Sequence, residues 1–139
     1  MAEEFDIVVI GGGPAGENVA QYAVQGTSRT AAIVEAELVG GECSYWACMP
    51  SKALLTPLDV RDSAAGLSPL HRPALDHAQL LARRDDFVSH YRDERQVAWA
   101  ESEGLSVVRG RGRLVGERTV LVTNGDSSRE IRAREAVVL

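Results

Sequence analysis

Residues 5–16 read FDIVVIGGGPAG, and this stretch decides the fold of the 139-residue chain. Residues 5–10 are a short β-branched apolar run, which is typical of a buried parallel strand. The glycine-rich turn follows at once, and residues 17–25 carry apolar side chains at helical spacing. A second apolar run covers residues 30–34. Together these segments predict a strand–turn–helix–strand unit of about 30 residues, the usual size of such a unit.

The glycine spacing in this turn predicts a dinucleotide-binding site. Gly11, Gly13 and Gly16 form the pattern GxGxxG between a predicted strand and a predicted helix, which is the context that makes the motif specific. Gly11 permits the tight turn, Gly13 lets the backbone approach a pyrophosphate, and Gly16 lets the helix pack on the strand. Pro14 and Ala15 of the same turn are also candidate cofactor-binding residues, and the free N–H groups and dipole at the helix start that follows favour an anion.

An acidic residue ends the second predicted strand. Glu35 comes nineteen residues after Gly16, and its carboxylate can accept hydrogen bonds from the ribose hydroxyls of an adenosine. The alternative is a glycine-rich turn that binds nothing, with Glu35 on the surface. The motif by itself is compatible with either FAD or NAD.

The only two cysteines, Cys43 and Cys48, are five positions apart. On a regular helix, α-carbons at this separation lie roughly 8–9 Å apart, whereas a disulfide needs less than about 7 Å. A bond between them therefore requires a distorted helix, which Gly40-Gly41 before the pair and Pro50 after it both favour. With Lys52 close by, a thiolate near a helix start is expected to have a depressed pKa, as a redox-active pair requires.

Half of a metal site and two inert core thiols are the alternatives for this pair. No further cysteine exists. His71, His77 and His90 show no ligand spacing relative to the two thiols. A cysteine pair in a cytosolic chain is more often catalytic or metal-binding than a structural crosslink.

The rest of the chain predicts further helices and then strands. We expect a helix over 42–56, a loop over 57–75 because of its Pro and Gly residues, and a long charged helix over 76–103. Its candidate buried residues are Leu80, Phe87, Tyr91, Val97 and Ala98. Strands are predicted over 105–108, 113–115, 119–123, 130–133 and 136–139, with a hairpin turn at Asn124-Gly125.

The charge distribution argues against a nucleic-acid surface. The net charge is −5, and Arg109, Arg111 and Arg113 alternate along a predicted strand, so they are interpreted as one solvated face. The clusters 83–86 and 92–95 are interpreted as the exposed face of the long helix. No apolar stretch is long enough for a transmembrane helix, and the acidic start lacks a signal-peptide pattern. We therefore expect a cytoplasmic protein that binds neither nucleic acid nor membrane.

Residues 40–52, GGECSYWACMPSK, resemble the signature of the class I pyridine nucleotide–disulfide oxidoreductases. This family includes glutathione reductase, dihydrolipoamide dehydrogenase and mercuric reductase, and the resemblance covers the whole chain. It implies that the dinucleotide is FAD and that electrons pass from NAD(P)H through FAD to a Cys43–Cys48 disulfide and on to a small-molecule or disulfide acceptor. It also implies that the full-length enzyme is a homodimer.

The resemblance also implies roles for single residues. Cys48 matches the flavin-side cysteine, Cys43 the interchange cysteine that attacks substrate, and Lys52 the lysine near the flavin. Gly112 matches the position whose backbone contacts the adenine. Cys43 is expected to be the more reactive thiol after reduction, because it lies near a helix start.

Four residues of the signature depart from the family. Glu42 stands where relatives usually have a threonine that helps bind FAD. Tyr45, Trp46 and Ala47 also differ, which puts glutathione and dihydrolipoamide in doubt as acceptors. The two aromatic side chains either shape the acceptor site or simply pack.

These observations predict an α/β fold of the FAD-type, Rossmann-like class. Its parallel sheet is expected to contain residues 5–10, 30–35 and 135–139. A small antiparallel β-meander is expected over residues 105–133. The whole chain, residues 1–139, is predicted to be one incomplete FAD-binding domain, without the NAD(P)H-binding and C-terminal dimerisation domains. The alternatives are an FAD-dependent oxidoreductase without dithiol chemistry and a nonfunctional truncated fragment.

Overall fold

The computed structural model describes residues 3–67 and 73–139. It divides into two compact units. The sheet unit comprises Met1–Gly41 and Asp93–Leu139, and the helical unit comprises Glu42–Arg92. Within the described ranges, no helix combines the length and apolar character needed to cross a bilayer.

The sheet unit contains six strands in one mixed sheet, in the order β3-β2-β1-β6-β5-β4. The first four strands in this order run parallel, and β6, β5 and β4 are antiparallel neighbours. The strands are β1 Glu3–Ile10, β2 Ala31–Glu35, β3 Leu105–Arg109, β4 Arg111–Gly116, β5 Thr119–Asn124 and β6 Ser127–Val138. The α-helices of the described residues are α1 Pro14–Val24, α2 Gly41–Tyr45, α3 Cys48–Ala65, α4 His77–Phe87 and α5 Glu94–Ser102.

The predicted α/β class is confirmed, with one correction to the meander. β3 does not belong to it, because β3 pairs in parallel with β2 from Ala31↔Leu105 to Glu35↔Arg109. An apolar run predicts a strand but not its partner, and this partner is more than seventy residues away in sequence. Residues 127–138 form one strand, β6, which pairs with both β1 and β5.

The predicted hairpin turn is present between β5 and β6. Asn124 pairs with Ser127, and Gly125 has a φ of 57°. A two-residue loop of this kind requires left-handed backbone, which glycine adopts without a steric cost. The two loop residues are thus Gly125 and Asp126, one position later than the predicted Asn124-Gly125, and Gly125 supplies the left-handed conformation.

The core of the sheet unit lies on both faces of the sheet. Val8 and Val9 are neighbours in β1, yet they belong to two separate clusters because successive strand residues point to opposite faces. Ala20 of α1 and Ala100 of α5 belong to the same core cluster as Val9. Their small side chains allow these helices to lie close to the sheet.

The helical unit departs from the sequence prediction in two places. α3 continues through Pro57 to Ala65, although residues 57–75 were expected to be a loop. Pro57 removes one backbone donor, but it does not end the helix here. Residues 68–72 of that expected loop lie outside the described residues.

The predicted long helix over 76–103 is broken. α4 ends at Phe87, and Ser89, His90 and Tyr91 have φ values of 52°, 51° and 57° before α5 begins at Glu94. Non-glycine residues rarely adopt this left-handed backbone, so the sequence Ser89-His90-Tyr91 does not predict a helix break.

The break also changes which side chains of this stretch are buried. Phe87, Tyr91 and Ala98 are exposed and Leu80 and Val97 are half-buried, whereas Val88 and Ala100 are fully buried. The predicted core was therefore wrong for the exposed three, because one helical phase was applied across two helices.

Candidate functional site

The glycine-rich turn joins β1 to the start of α1. Gly13 is the N-cap of α1, Pro14 follows it in the first turn, and no side chain caps this helix start. A Cβ on Gly16 would lie 1.9 Å from the Gly11 carbonyl oxygen, so no side chain fits there. The turn therefore offers an uncapped helix N-terminus without obstructing side chains, which suits a pyrophosphate.

The loop after β2, residues 36–41, packs directly on this turn. The Gly40 N–H donates to the Gly12 carbonyl at 2.7 Å. Gly41 has a φ of 61°, and a Cβ there would lie 2.7 Å from the Gly13 Cα. The sequence placed Gly40-Gly41 only before the cysteine helix. The structure shows that these two glycines are also required by the dinucleotide turn.

Glu35 lies at the end of β2 and is tied to the same turn. Its Oε2 accepts the Gly12 N–H at 2.6 Å, and its Oε1 accepts the Glu37 N–H at 2.7 Å. A carboxylate oxygen can accept more than one hydrogen bond, so both oxygens keep capacity for ribose hydroxyls. Ribose binding by Glu35 stays a prediction, and the structure supports it by placing the carboxylate at the turn.

Arg109 and Asp93 have a structural role that the sequence analysis missed. Arg109 ends β3, and Gly110, with a φ of 139°, separates it from β4. The prediction that Arg109, Arg111 and Arg113 share one strand face is therefore wrong, because Arg109 lies in β3 and the other two lie in β4. The Arg109 Nη2 donates to Asp93 Oδ2 at 2.6 Å, and its Nη1 donates to the Glu37 carbonyl at 2.7 Å.

Asp93 was expected on the exposed face of a long helix, yet its side chain is only 11% exposed. Its Oδ2 also accepts the Val39 N–H at 2.7 Å. The expectation failed because the helix breaks before Asp93, and because its partners lie 54 and 16 positions away. Because Asp93 stands between charged residues in the sequence, its neighbours give no indication that its side chain is buried.

The cysteine pair lies in the helical unit, where the chain is not a regular helix. α2 ends at Tyr45 and α3 begins at Cys48. The N–H groups of Trp46 and Ala47 both donate to the Glu42 carbonyl, at 2.9 and 2.7 Å. The distortion that a disulfide would need, predicted from the flanking glycines and proline, is therefore present between the two thiols.

The two cysteines are not joined by a disulfide in this structure. A hydrogen bond with Cys48, together with burial, raises the pKa of the Cys43 thiol, and the charge of Lys52 only partly opposes this. The prediction of a depressed pKa is wrong for Cys43. Cys43 lies in α2, which has only five residues. The hydrogen bond with Cys48 raises the pKa of Cys43 by more than the charge of Lys52 lowers it. A disulfide in the oxidised protein stays a prediction.

Exposure and pKa together reverse the expected order of thiol reactivity in the flavin-free chain. Cys48 is exposed and Cys43 is only half-exposed, and the raised pKa of Cys43 lowers its thiolate fraction at neutral pH. We expect limited alkylation of the reduced chain at pH 7 to label Cys48 several-fold faster. Peptide mass mapping measures this, with the denatured chain as the control in which both label alike.

The preference should shrink at more alkaline pH, because the Cys43 thiolate, whose pKa is raised, then becomes populated. Faster labelling of Cys43 at pH 7 would contradict this order.

The aromatic residues between the cysteines separate into two environments. Tyr45 is 1% exposed and Trp46 is 47% exposed. Their rings meet edge-on at 5.7 Å, and Trp46 lies 6.5 Å from Tyr91. Tyr45 is therefore a packing residue of the helical unit, whereas Trp46 presents part of its ring to solvent.

The remaining predicted site residues are placed as follows. Glu42 and Lys52 are exposed, and Gly112 lies in β4, where a Cβ would be 3.0 Å from Val34. Among the described residues, no cluster of three His, Cys, Asp or Glu side chains could hold a metal ion. His71 lies outside that part of the chain.

Comparison with known proteins agrees with this arrangement. Residues 5–138 match the sequence profile of the pyridine nucleotide-disulphide oxidoreductases. The chain belongs to this family. The predicted family is therefore confirmed, and with it a place among FAD-dependent oxidoreductases.

Named relatives of this oxidoreductase chain are much longer than it is. Dihydrolipoyl dehydrogenase 3 of Pseudomonas aeruginosa is 33% identical over 144 residues, covering 99% of this chain and 31% of that protein. A soluble pyridine nucleotide transhydrogenase of Sodalis glossinidius is 29% identical, covering 98% of this chain and 30% of that protein. The chain thus spans about 30% of the length of these relatives.

Solved structures share the fold. LpdA from Mycobacterium tuberculosis superposes with a TM-score of 0.74 at 24% identity, over 98% of this chain and 31% of that one. The HOCl-induced flavoprotein disulfide reductase RclA from Escherichia coli, as its Cu(II) complex, gives 0.74 at 20% identity, over 96% and 27%. These matches confirm the predicted FAD-type, Rossmann-like fold.

Proposed function

We propose that this chain is the FAD-binding part of an NAD(P)H-dependent flavoprotein disulfide oxidoreductase, with Cys43 and Cys48 as its redox-active pair. The observation that carries the proposal is the position of the two cysteines on either side of the break between α2 and α3, in a chain that also has the dinucleotide turn. Inert core thiols do not account for this pair, because Cys48 is exposed and Cys43 is partly exposed.

The residues of the sheet unit fit the adenosine and pyrophosphate parts of FAD. Gly11, Gly13, Pro14, Ala15 and Gly16 would hold the pyrophosphate at the uncapped helix start. Glu35 would hold the ribose, and the backbone at Gly112 the adenine. The family resemblance also assigns Glu42, Cys43 and Lys52 to cofactor binding. Bound FAD would supply two-electron exchange with NAD(P)H and with the dithiol.

The thiols would transfer electrons by exchange with a disulfide acceptor. The Cys43 thiolate attacks one acceptor sulfur, a mixed disulfide forms, and the first acceptor thiol leaves with a proton. The Cys48 thiolate then attacks Cys43, which releases the second acceptor thiol and closes the Cys43–Cys48 disulfide. Because the pKa of Cys43 is raised, the first step needs a base that removes the Cys43 proton.

The complete enzyme would act as a homodimer in the cytoplasm. Its acceptor would be a disulfide or another small molecule. A reducing compartment suits a cysteine pair that cycles between dithiol and disulfide. The 139 residues contain one dinucleotide fingerprint. We therefore expect no sustained NAD(P)H turnover from them alone, even with FAD added.

An anaerobic dithionite titration tests the proposal, because dithionite supplies electrons without a nicotinamide site. The oxidised chain loaded with FAD should take up about four electrons per FAD, two for the flavin and two for the disulfide. Cys43→Ser and Cys48→Ser should each take up about two. Long-wavelength charge-transfer absorbance, from the Cys48 thiolate beside oxidised flavin, should appear in the parent after uptake of about two electrons, should be present in Cys43→Ser before any reduction, and should be absent from Cys48→Ser.

An uptake of about two electrons by the parent chain would indicate a flavoprotein without dithiol chemistry. A purified chain that retains no yellow colour with added FAD would indicate a nonfunctional fragment. Either result would contradict the proposed function.

A further inference from the structure

The ion pair of Asp93 and Arg109 is connected to the proposed ribose carboxylate by an unbroken series of hydrogen bonds. Arg109 donates to Asp93 and to the Glu37 carbonyl. The N–H of the same Glu37 donates to Glu35, whose second oxygen accepts the Gly12 N–H. The series thus runs from a buried acid in the loop before α5 to the turn that begins α1.

Strand register adds to this connection. Glu35 and Arg109 are direct partners in the parallel pair of β2 and β3, and the Gly110 N–H donates to the Glu35 carbonyl at 2.9 Å. Both residues therefore lie at the carboxyl ends of their strands, the edge where open α/β sheets bind ligands.

The same ion pair also holds the loop of residues 36–41 at a second point. Asp93 accepts the Val39 N–H, directly before Gly40 donates to the Gly12 carbonyl. The loop is therefore fixed at Glu37, at Val39 and at Gly40. Without the ion pair, the Gly40 hydrogen bond, the Glu37–Glu35 hydrogen bond and the packing of the buried Val39 and of Gly41 would still hold this loop.

We propose that Asp93 and Arg109 are positioning residues for the cofactor: they fix loop 36–41 so that Glu35 and the Gly12-Gly13 turn are held in the FAD-binding arrangement. The proposal rests on the proposed function, because it assigns the loop to FAD. Neither residue touches the cofactor in this assignment. Their effect passes through the Glu37 backbone and through Val39.

The chain contains a matched control for this ion pair. Asp6 accepts the Thr30 N–H at 2.7 Å and Arg134 Nε at 2.7 Å, so it makes the same two kinds of contact as Asp93. The Arg134 hydrogen bond holds the pKa of the Asp6 carboxyl well below its usual range. Asp6 lies in the first half of β1, away from the glycine turn that follows this strand.

The experiment compares Asp93→Ala, Arg109→Ala and their double variant with Asp6→Ala in the full chain. FAD affinity is measured by flavin fluorescence titration, and thermal stability and amide hydrogen exchange are measured without FAD. Asp93→Ala and Arg109→Ala should each weaken FAD binding roughly threefold to tenfold, with no further loss in the double variant. Exchange of the Val39, Glu37 and Gly12 amides should accelerate in these variants.

Asp6→Ala should lower thermal stability but leave FAD affinity and these three amides unchanged. If Asp93→Ala does not fold, Asp93→Asn replaces it. The asparagine amide oxygen can still accept the Val39 N–H, whereas Arg109 loses the negative charge of its partner. FAD affinity equal to the parent in both Asp93 and Arg109 variants would overturn this inference alone. A parent chain that binds no FAD would overturn the proposed function and this inference with it.

Discussion

Glu35→Ala is expected to weaken FAD binding by about 1–3 kcal/mol, the usual cost of losing a hydrogen bond to a charged group. This corresponds to a roughly 5- to 150-fold higher dissociation constant. The reason is the position of the carboxylate, which bonds the Gly12 N–H at the dinucleotide turn and keeps acceptor capacity for the ribose. The effect should exceed that of Asp93→Ala, because Glu35 would contact the cofactor itself.

The measurement is a flavin fluorescence titration of the purified chain, with thermal unfolding recorded in parallel. Glu37→Ala is the matched control, since it removes a neighbouring carboxylate but keeps the backbone N–H and C=O that bond Glu35 and Arg109. The control should bind FAD like the parent. An unchanged dissociation constant in Glu35→Ala would remove Glu35 from the cofactor site.

Gly16→Ala is expected to damage both stability and cofactor binding. The added Cβ would lie 1.9 Å from the Gly11 carbonyl oxygen and 3.3 Å from a Val9 methyl group. The nearest obstacle is backbone, which cannot rotate away as a side chain can, so α1 or the turn itself must move. Overpacking typically costs about 1–3 kcal/mol, and we expect a loss at the upper end of that range in the free energy of unfolding.

Denaturant unfolding followed by circular dichroism measures this loss, and a fluorescence titration measures the accompanying loss of FAD binding. Gly116→Ala is the control, because its added Cβ would lie 3.9 Å from the Thr119 Cβ, an ordinary van der Waals contact. Its stability should stay within about 1 kcal/mol of the parent, since a glycine in a strand carries no favourable packing. Equal stability of Gly16→Ala and Gly116→Ala would show that the turn adapts to a side chain.

Several features of the molecule were readable from the sequence because they depend on neighbouring residues. The apolar run 5–10 predicted the start of β1 within two residues, and the helix predicted from residue 17 begins three residues earlier, at Pro14. Asn124-Gly125 predicted its hairpin, because backbone conformation at that dipeptide is a local property. The glycines and proline that flank Cys43 and Cys48 favoured the distorted helix that a bond between them would need, and the chain is distorted between them.

Other features were decided by tertiary contacts alone. The assignment of β3 to the parallel sheet depends on β2, and the burial of Asp93 depends on Val39 and Arg109, none of which is near in sequence. The left-handed residues 89–91 divide a stretch whose composition predicted one continuous helix. Hydrogen bonds and packing across such separations overcome local preferences. The sequence by itself therefore determined the family, the dinucleotide turn and the thiol pair, whereas only the tertiary structure placed Arg109, Asp93 and loop 36–41 around Glu35.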